Sequence, residues 1–157
     1  MNWLELALPL VAHFEGCAKR RGDLIYPYLD KLAKPHVWTR GYGRTYGISE
    51  DSPPISIPEA KEELSEGLRS YAKAVLKLAP ALADRPECFA AVVSWAWNCG
   101  TGALARSRLR RAICAGDWAS ASEFIKSPRT AGGVEYPGLV RRREAEAALF
   151  RKGIGVL

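Results

Sequence analysis

The sequence lacks the features that mark several functional classes. It contains no run of about 18 apolar residues, so we expect no transmembrane helix and no stable membrane insertion. It contains no internal repeat and no low-complexity tract. His13 and His36 each stand without metal-ligand partners at useful spacing, so neither a metal nor another cofactor is expected. Four cysteines without a CxxC pair are expected to be reduced thiols that act as small apolar residues.

Several enzyme motifs are also missing. The segment Gly41-Tyr42-Gly43 is too short for a phosphate-binding loop, and no Lys-Ser or Lys-Thr follows it. No Gly-x-Ser-x-Gly nucleophile motif is present. Cys17 and His13 leave a cysteine nucleophile open, but the surrounding residues match no signature of that chemistry.

The composition is that of a globular protein with an excess of basic residues. At 157 residues, 48% hydrophobic and 25% charged, the chain suits one compact domain, or two lobes that share a helix. The net charge of +6 favours an anionic partner, such as nucleic acid, a membrane surface or a bacterial cell wall. The basic residues are scattered, with no helix-turn-helix and no array of stacking aromatics, which argues against nucleic acid.

Helical periodicity is strongest in three parts of the chain. Residues 2–14 predict an apolar helix that ends at Gly16, in which Pro9 predicts a kink or a late start. No basic segment precedes this apolar run, so we interpret it as a helix of the mature protein and not as a signal peptide. Ser56 and Glu59 form a capping box before a long amphipathic helix. Residues 88–99 predict a buried helix, with Asp84 in a second cap and Gly100 ending it.

The remaining segments are less regular. Residues 17–45 alternate aromatic and β-branched residues with Gly and Pro, which predicts one small antiparallel sheet of two or three strands. Such a sheet is only marginally stable alone and must pack against helices. Residues 107–115 predict a short basic helix, and Asp117 caps the next one. Residues 126–138 predict a loop, and residues 139–150 predict the last helix.

Two carboxylates in unlike surroundings are the candidates for chemistry. Glu15 sits where the first helix runs out, and Asp30 lies in an extended stretch, so only the fold can bring them together. Two such groups are what general acid/base cleavage of a glycosidic bond requires. A helix C-terminus and partial burial both disfavour an anion, as a general acid needs. Asp30 is the candidate base or electrostatic stabiliser, and Thr39 is a candidate to hold water.

Each candidate also has a plainer interpretation. Glu15 alone would be a solvated glutamate at a helix end, and Thr39 would be an ordinary strand residue. Asp23 rivals Asp30, although it follows Gly22 in a loop and has the character of a turn residue.

Taken in order, three motifs form a recognisable pattern: Glu15-Gly16, then Tyr28-Leu29-Asp30, then Thr39-Arg40-Gly41-Tyr42-Gly43. They resemble the phage-type lysozymes, the endolysin family of the T-even and lambdoid phages, which show Glu-Gly, Tyr-x-Asp and Thr-x-Gly-Tyr-Gly in this order. Residues 89–102 resemble the buried helix of that family, and residues 132–146 resemble its closing loop and last helix. The resemblance covers about residues 4–150.

The resemblance implies an α+β fold, a single lysozyme-like domain over residues 1–157 with a saccharide cleft between two lobes. A small antiparallel β lobe, about residues 15–55, would be joined by a long helix, about 56–79, to a larger helical lobe. The helical lobe would comprise about residues 80–157 and the N-terminal helix.

The resemblance also implies hydrolysis of the β-1,4 bond between N-acetylmuramic acid and N-acetylglucosamine in peptidoglycan. Glu15 would be the acid, Asp30 its carboxylate partner and Thr39 the residue that helps to place water. Tyr42, Asn98 and Arg141 lie in matching segments and are expected to bind substrate.

The arginine run of the last helix has two interpretations. One member of Arg141, Arg142 and Arg143 is a candidate to pair with Glu15. The plainer interpretation is a solvated helix face.

The spacing departs from the family pattern. The family usually has about eight residues between Glu and Asp and about five between Asp and Thr, whereas here there are 14 and eight. The extra residues fall in predicted hairpins, where doubling a loop costs only about 0.6 kcal/mol. Asp23 lies closer to the usual distance from Glu15 but lacks the Tyr-x-Asp context, so Asp30 is preferred.

Two alternative functions stay open. One is a lytic transglycosylase-like muramidase that uses Glu15 alone, and the other is a non-catalytic module that binds the cell wall. The resemblance implies a phage protein for host-cell lysis that acts as a monomer on peptidoglycan glycan strands. It would accumulate in the host cytoplasm and depend on a membrane pore, a holin, to reach the periplasmic wall.

Overall fold

The computed structural model describes residues 1–156 and has the α+β character expected from the sequence. The chain divides into two compact units. One unit is Val11–Gly67 and contains five of the strands; the other combines Met1–Leu10 with the chain from Leu68 onward and is mainly helical. That the two units make up one lysozyme-like domain stays a prediction.

The described residues form seven α-helices. Their bounds are Trp3–Glu15 (α1), Ile57–Leu78 (α2), Pro86–Cys99 (α3), Thr101–Arg106 (α4), Arg108–Cys114 (α5), Trp118–Phe124 (α6) and Pro137–Gly153 (α7). The long amphipathic helix expected in the middle of the chain is α2, which contributes residues to both units.

The strands are short and antiparallel. Their bounds are Arg20–Arg21 (β1), Leu24–Ile25 (β2), Tyr28–Asp30 (β3), Val37–Thr39 (β4), Ile55–Ser56 (β5), Thr130–Ala131 (β6) and Val134–Glu135 (β7). They form a three-stranded sheet in the order β1-β2-β5 and two hairpins, β3-β4 and β6-β7. The prediction of one sheet was therefore wrong, and the predicted loop at residues 126–138 contains the β6-β7 hairpin.

Two helices begin with reciprocal caps. At α2 the backbone N–H of Ser56 donates to Glu59 Oε2 at 2.7 Å, and the N–H of Glu59 donates to Ser56 Oγ at 3.3 Å, which confirms the predicted capping box. At α1, Asn2 Oδ1 accepts from the N–H of Glu5, and Glu5 Oε2 accepts from the N–H of Asn2. Because α1 starts before Pro9, the predicted late start was wrong.

The buried helix α3 is present, but its surroundings differ from the prediction. Arg85, not Asp84, is its N-cap residue, and no side chain caps it; Pro86 fills the first turn, where its missing N–H has no helical partner to lose. Gly100 ends α3 as predicted, and Thr101 then starts the separate helix α4, which was not predicted. The predicted cap of α6 is confirmed, since Asp117 Oδ1 accepts from the N–H of Ser120 at 3.0 Å.

A small apolar core holds the strand-containing unit together. Ile25 on β2, Ile55 on β5 and Ala60 on α2 are buried against one another. Cys17 and Tyr42 are partly buried against the same cluster. Because strands of two or three residues are marginal alone, this packing on α2 is what stabilises them.

The helical unit buries charge between α3 and α7. Glu146 is fully buried, and its carboxylate accepts from Ser94 Oγ at 2.7 Å and from Arg142 Nε at 3.1 Å. Arg143 also donates to Glu146, and its Nε donates to the carbonyl oxygen of Pro128 at 3.0 Å. For Arg142 and Arg143, the interpretation as a solvated helix face was wrong, because both are buried in this network, while Arg141 is exposed.

Among the described residues, no helix combines the length and apolar character needed to cross a bilayer.

Loss of the Glu146 charge should destabilise the protein strongly. Glu146→Gln keeps the side-chain volume but leaves two buried guanidinium groups without their carboxylate, so we expect the free energy of unfolding to fall by about 3–5 kcal/mol. Glu144→Gln removes an equal charge from the exposed face of the same helix and should change it by less than about 0.5 kcal/mol. Urea unfolding of both variants measures the difference; equal effects would contradict this account.

Candidate active site

Glu15 is placed by the end of α1. Glu15 is the last residue of the helix, and Gly16 follows with φ +64°. The N–H of Gly16 donates to the carbonyl oxygen of Ala12 at 3.0 Å. A positive φ at this position is what ends many helices, and glycine adopts it without strain. The carboxylate of Glu15 therefore projects from a defined helix end, and the residue is exposed to solvent.

Asp30 is held at the end of β3. Its Oδ1 accepts from the backbone N–H of Leu32 at 2.9 Å and, more weakly, from that of Ala33 at 3.4 Å. These contacts form an Asx turn that starts the connection to β4 and fixes the half-buried carboxylate. Asp23 instead lies with Gly22 in the two-residue turn between β1 and β2, where it is exposed.

Thr39 lies across the β3-β4 hairpin from Tyr28. Directly opposite residues of an antiparallel pair share a face, and Tyr28 pairs with Thr39 while Asp30 pairs with Val37. Asp30 and Thr39 are therefore diagonal neighbours on one face, at a typical separation of about 7–8 Å. Thr39 is buried, and its hydroxyl donates to the carbonyl oxygen of Val37 at 3.4 Å.

Tyr28 interacts electrostatically with both carboxylates. No role of its own was predicted for it from the sequence. Burial raises the pKa of Tyr28 above its usual value, and the negative charges of Asp30, Cys17 and Glu15 raise it further. The phenol therefore lies within electrostatic reach of both Glu15 and Asp30, and it stays a neutral O–H group at ordinary pH. The Tyr-x-Asp motif contained the signal, since residues two apart on a strand share a face.

The turn after Thr39 also approaches Glu15. Arg40 and Arg44 exchange backbone hydrogen bonds of 2.9 and 3.1 Å, which close a loop over residues 41–43. Gly43 has φ +97°, and a Cβ built on it would lie 4.0 Å from Glu15 Oε2. The turn backbone therefore runs beside the carboxylate. Tyr42 is half-buried, and burial raises the pKa of its phenol.

The other two predicted substrate-binding residues belong to the helical unit. Asn98 is exposed near the end of α3, and its Oδ1 accepts a hydrogen bond from Arg143 Nη2. Arg141 is exposed near the start of α7. Their part in substrate binding stays a prediction.

No metal-binding group is found among residues 1–156: no three His, Cys, Asp or Glu side chains come together in a way that could hold an ion. The strand-containing unit brings together an exposed glutamate at a helix end and an aspartate fixed on a hairpin, with the phenol of Tyr28 within electrostatic reach of both.

A model of the family described as phage lysozyme matches residues 12–146. The endolysin of Bacillus phage B103 is 34% identical over 154 residues, covering 98% of this chain and 55% of that protein. The endolysin of Bacillus phage PZA is 35% identical over 118 residues, covering 74% of this chain and 45% of that protein. The chain spans about half the length of these curated relatives.

Solved structures show the same fold. The endolysin of Escherichia coli O157:H7 phage FAHEc1 superposes with a TM-score of 0.77 at 25% identity, covering 96% of this chain and 93% of that one. The active form of the P1 phage endolysin Lyz gives a TM-score of 0.76 at 22% identity, covering 94% of this chain and 84% of that one. The lysozyme-like fold predicted from the sequence is thereby confirmed.

The electrostatic link through Tyr28 can be measured directly. Asp30→Asn removes a negative charge that disfavours the phenolate, so the pKa of Tyr28 should fall towards the usual value of a tyrosine. Glu15→Gln should lower it by a smaller amount, because Glu15 makes the smaller contribution. NMR titration of the Tyr28 ring measures both shifts, with Asp23→Asn as control. If Asp30→Asn leaves the pKa of Tyr28 unchanged, the phenol and the Asp30 carboxylate do not interact electrostatically.

Proposed function

We propose that this chain, which belongs to the phage lysozyme family, is a muramidase that cleaves the β-1,4 bond between N-acetylmuramic acid and N-acetylglucosamine in bacterial peptidoglycan. The observation that carries the proposal is geometric: Asp30 and Thr39 share one face of the β3-β4 hairpin, and the turn that follows Thr39 brings Gly43 beside Glu15, where a Cβ built on Gly43 would lie 4.0 Å from Glu15 Oε2. Glycoside hydrolysis needs two carboxyl groups on either side of the scissile bond.

Glu15 is the general acid in this proposal. It protonates the oxygen of the leaving sugar, which requires that the carboxyl group carries its proton when the substrate is bound. Glu15 is exposed in the free protein, so the bound glycan itself would displace the water around it. The helix end and the Gly43 backbone beside it support a fixed position for this carboxylate.

Asp30 is the carboxylate partner, and Thr39 helps to place the attacking water. Asp30 is favoured over Asp23 because it shares a hairpin face with Thr39, whereas Asp23 lies in an exposed turn of another sheet. One oxygen of Asp30 is already engaged by the backbone, which fixes the direction of the other. An inverting reaction would need the wider separation of about 6.5–9.5 Å between the two carboxyl groups.

The departure in spacing fits this assignment. The long segment between Glu15 and Asp30 contains the complete β1-β2 hairpin, which packs through Ile25 on the apolar core. A folded hairpin takes up the extra residues with little effect on the elements that carry the two carboxylates.

The proposal extends to the biological setting. The proposed substrate is the glycan strand of peptidoglycan, with Tyr42, Asn98 and Arg141 contributing contacts. A monomer made in the host cytoplasm would reach the periplasmic wall through a holin pore and lyse the cell.

Digestion of purified cell walls by four proteins tests the proposal. Glu15→Gln and Asp30→Asn should each lower kcat by at least about 10²-fold, because each removes a group that acts on the transition state. Asp23→Asn is the matched control and should keep wild-type activity. Turbidity gives the rate, and mass spectrometry of the released fragments identifies the new ends.

The product ends separate the remaining functions. Reducing ends support hydrolysis, and 1,6-anhydro ends together with an active Asp30→Asn would support a lytic transglycosylase that uses Glu15 alone. If Glu15→Gln retains full activity on walls, the proposed mechanism fails. If the wild type binds walls without cutting them, the chain is a binding module.

Salt should weaken the activity on cell walls. The net charge is +6, and residues 88–116 contain four arginines and no aspartate or glutamate, so attraction to an anionic wall contributes to binding. Between about 0.01 and 1 M salt the screening length falls from about 30 to about 3 Å, and we expect the rate to fall several-fold. A short peptidoglycan glycan fragment with its carboxyl groups converted to amides carries the same bond without the negative charge and serves as the control substrate. An equal salt response on both substrates would remove this explanation.

A further inference from the structure

Two arginines at the base of one turn share a single carboxylate. Arg40 and Arg44 bracket residues 41–43, and both reach Oε1 of Glu63 on α2, at 2.7 Å from Arg40 Nη2 and 3.2 Å from Arg44 Nη1. Arg40 Nη1 also donates to the carbonyl oxygen of Pro53 at 2.7 Å. The two chain ends of the turn are therefore tied to the same point on α2 by their side chains and to each other by their backbones.

The turn lies directly on α2. A Cβ built on Gly41 would stand 3.4 Å from Ala60 Cβ and 3.9 Å from Glu63 Oε2, so no side chain separates the turn from the helix. The side chains of Arg40 and Glu63 are only 9% and 18% exposed. Water is largely excluded from the contact between Arg40 and Glu63, which is correspondingly stronger than a surface pair, whereas the Arg44 side chain is 38% exposed.

The far end of the same turn faces the proposed acid. Gly43 lies beside Glu15 Oε2, as its built Cβ shows, and Arg44 follows Gly43 directly. A displacement of the turn from α2 would therefore move the backbone next to Glu15. Glu63 connects α2 to both ends of this turn.

The cluster is poorly arranged for stability alone. It holds two cations and one anion, and within the described residues Arg40 Nε and Glu63 Oε2 are buried without a hydrogen-bond partner. Each such atom carries an uncompensated loss of hydration, and buried ion pairs are often no more stabilising than apolar residues of similar size. The cluster fixes the position of the turn, because one carboxylate oxygen of Glu63 contacts the arginine at each end of it.

We propose that Glu63 is a positioning residue for the reaction: through Arg40 and Arg44 it holds the 41–43 turn on α2, and the turn in turn fixes the surroundings of Glu15. This rests on the proposed function of Glu15. The role is distinct from catalysis, since Glu63 acts through the two arginines and the turn backbone.

Kinetics of Glu63→Gln give the first test. The amide cannot neutralise two guanidinium groups, so the turn should shift, and kcat on soluble glycan should fall about 10–100-fold with KM within about two-fold, as expected for misplacement near the reacting atoms. Glu66→Gln, an equal loss of charge at an exposed position of the same helix, should leave both parameters unchanged. Glu63→Asp, which keeps the charge, should recover part of the loss.

A double variant separates positioning from stability. Arg40→Leu with Glu63→Leu replaces the buried pair by apolar side chains, which should keep the midpoint of urea unfolding near that of the wild type. We expect kcat to stay low, because the ionic tie is gone. If kcat returns with stability, or if Glu63→Gln keeps wild-type kcat, Glu63 has no positioning role.

Amide hydrogen exchange gives a readout that does not need activity. In Glu63→Gln the N–H groups of Arg40 and Arg44 should exchange at least about ten-fold faster, while the capped start of α2 at Glu59 should not change. Unchanged exchange at both arginines would overturn the inference, whatever the double variant does. An inactive wild type would overturn the proposed function, and faster exchange would then still show the tie between Glu63 and the turn.

Discussion

The burial of Ile25, Ile55 and Ala60 against one another is the interaction on which the strand-containing unit depends. Its strands are only two or three residues long, and ladders of that length do not persist in water without an apolar surface to cover them. The core joins β2 and β5 to the first turns of α2. Tyr42 packs on the same cluster, so the turn that lies beside Glu15 is anchored by the residues that hold the sheet.

The candidate site uses this anchoring, because β4 runs directly into the turn that carries Tyr42. Glu15 comes from a helix end and Asp30 from a hairpin, and the two elements set the carboxylates in different surroundings, one exposed and one tied by backbone N–H groups. The proposed function assigns the two carboxylates different roles, and different surroundings are what such roles require. Tyr28 lies within electrostatic reach of both carboxylates. The cluster of Arg40, Arg44 and Glu63 holds the turn that lies beside Glu15.

The helical unit contains charged side chains inside its core. Glu146 accepts from Ser94 and from two arginines, so its charge is compensated although the side chain is fully buried. The same network ties α7 to α3, and Arg143 extends it to Asn98. Buried ionic groups of this kind add little net stability, but they disfavour any register in which one partner is left alone.

Local chemistry alone determined much of this protein. The capping box of Ser56 and Glu59 and the glycine that ends α1 could be predicted because their partners lie within a few residues. The order of the Glu, Asp and Thr motifs likewise identified the family without any coordinates. Tertiary structure decided which groups meet over long sequence separations. An arginine run next to Glu144 has the pattern of a solvated face, and only the packing of α7 on α3 buries Arg142 and Arg143. Arg40 and Glu63 are 23 residues apart and show no periodic relation, so their pairing exists only once the turn lies on α2.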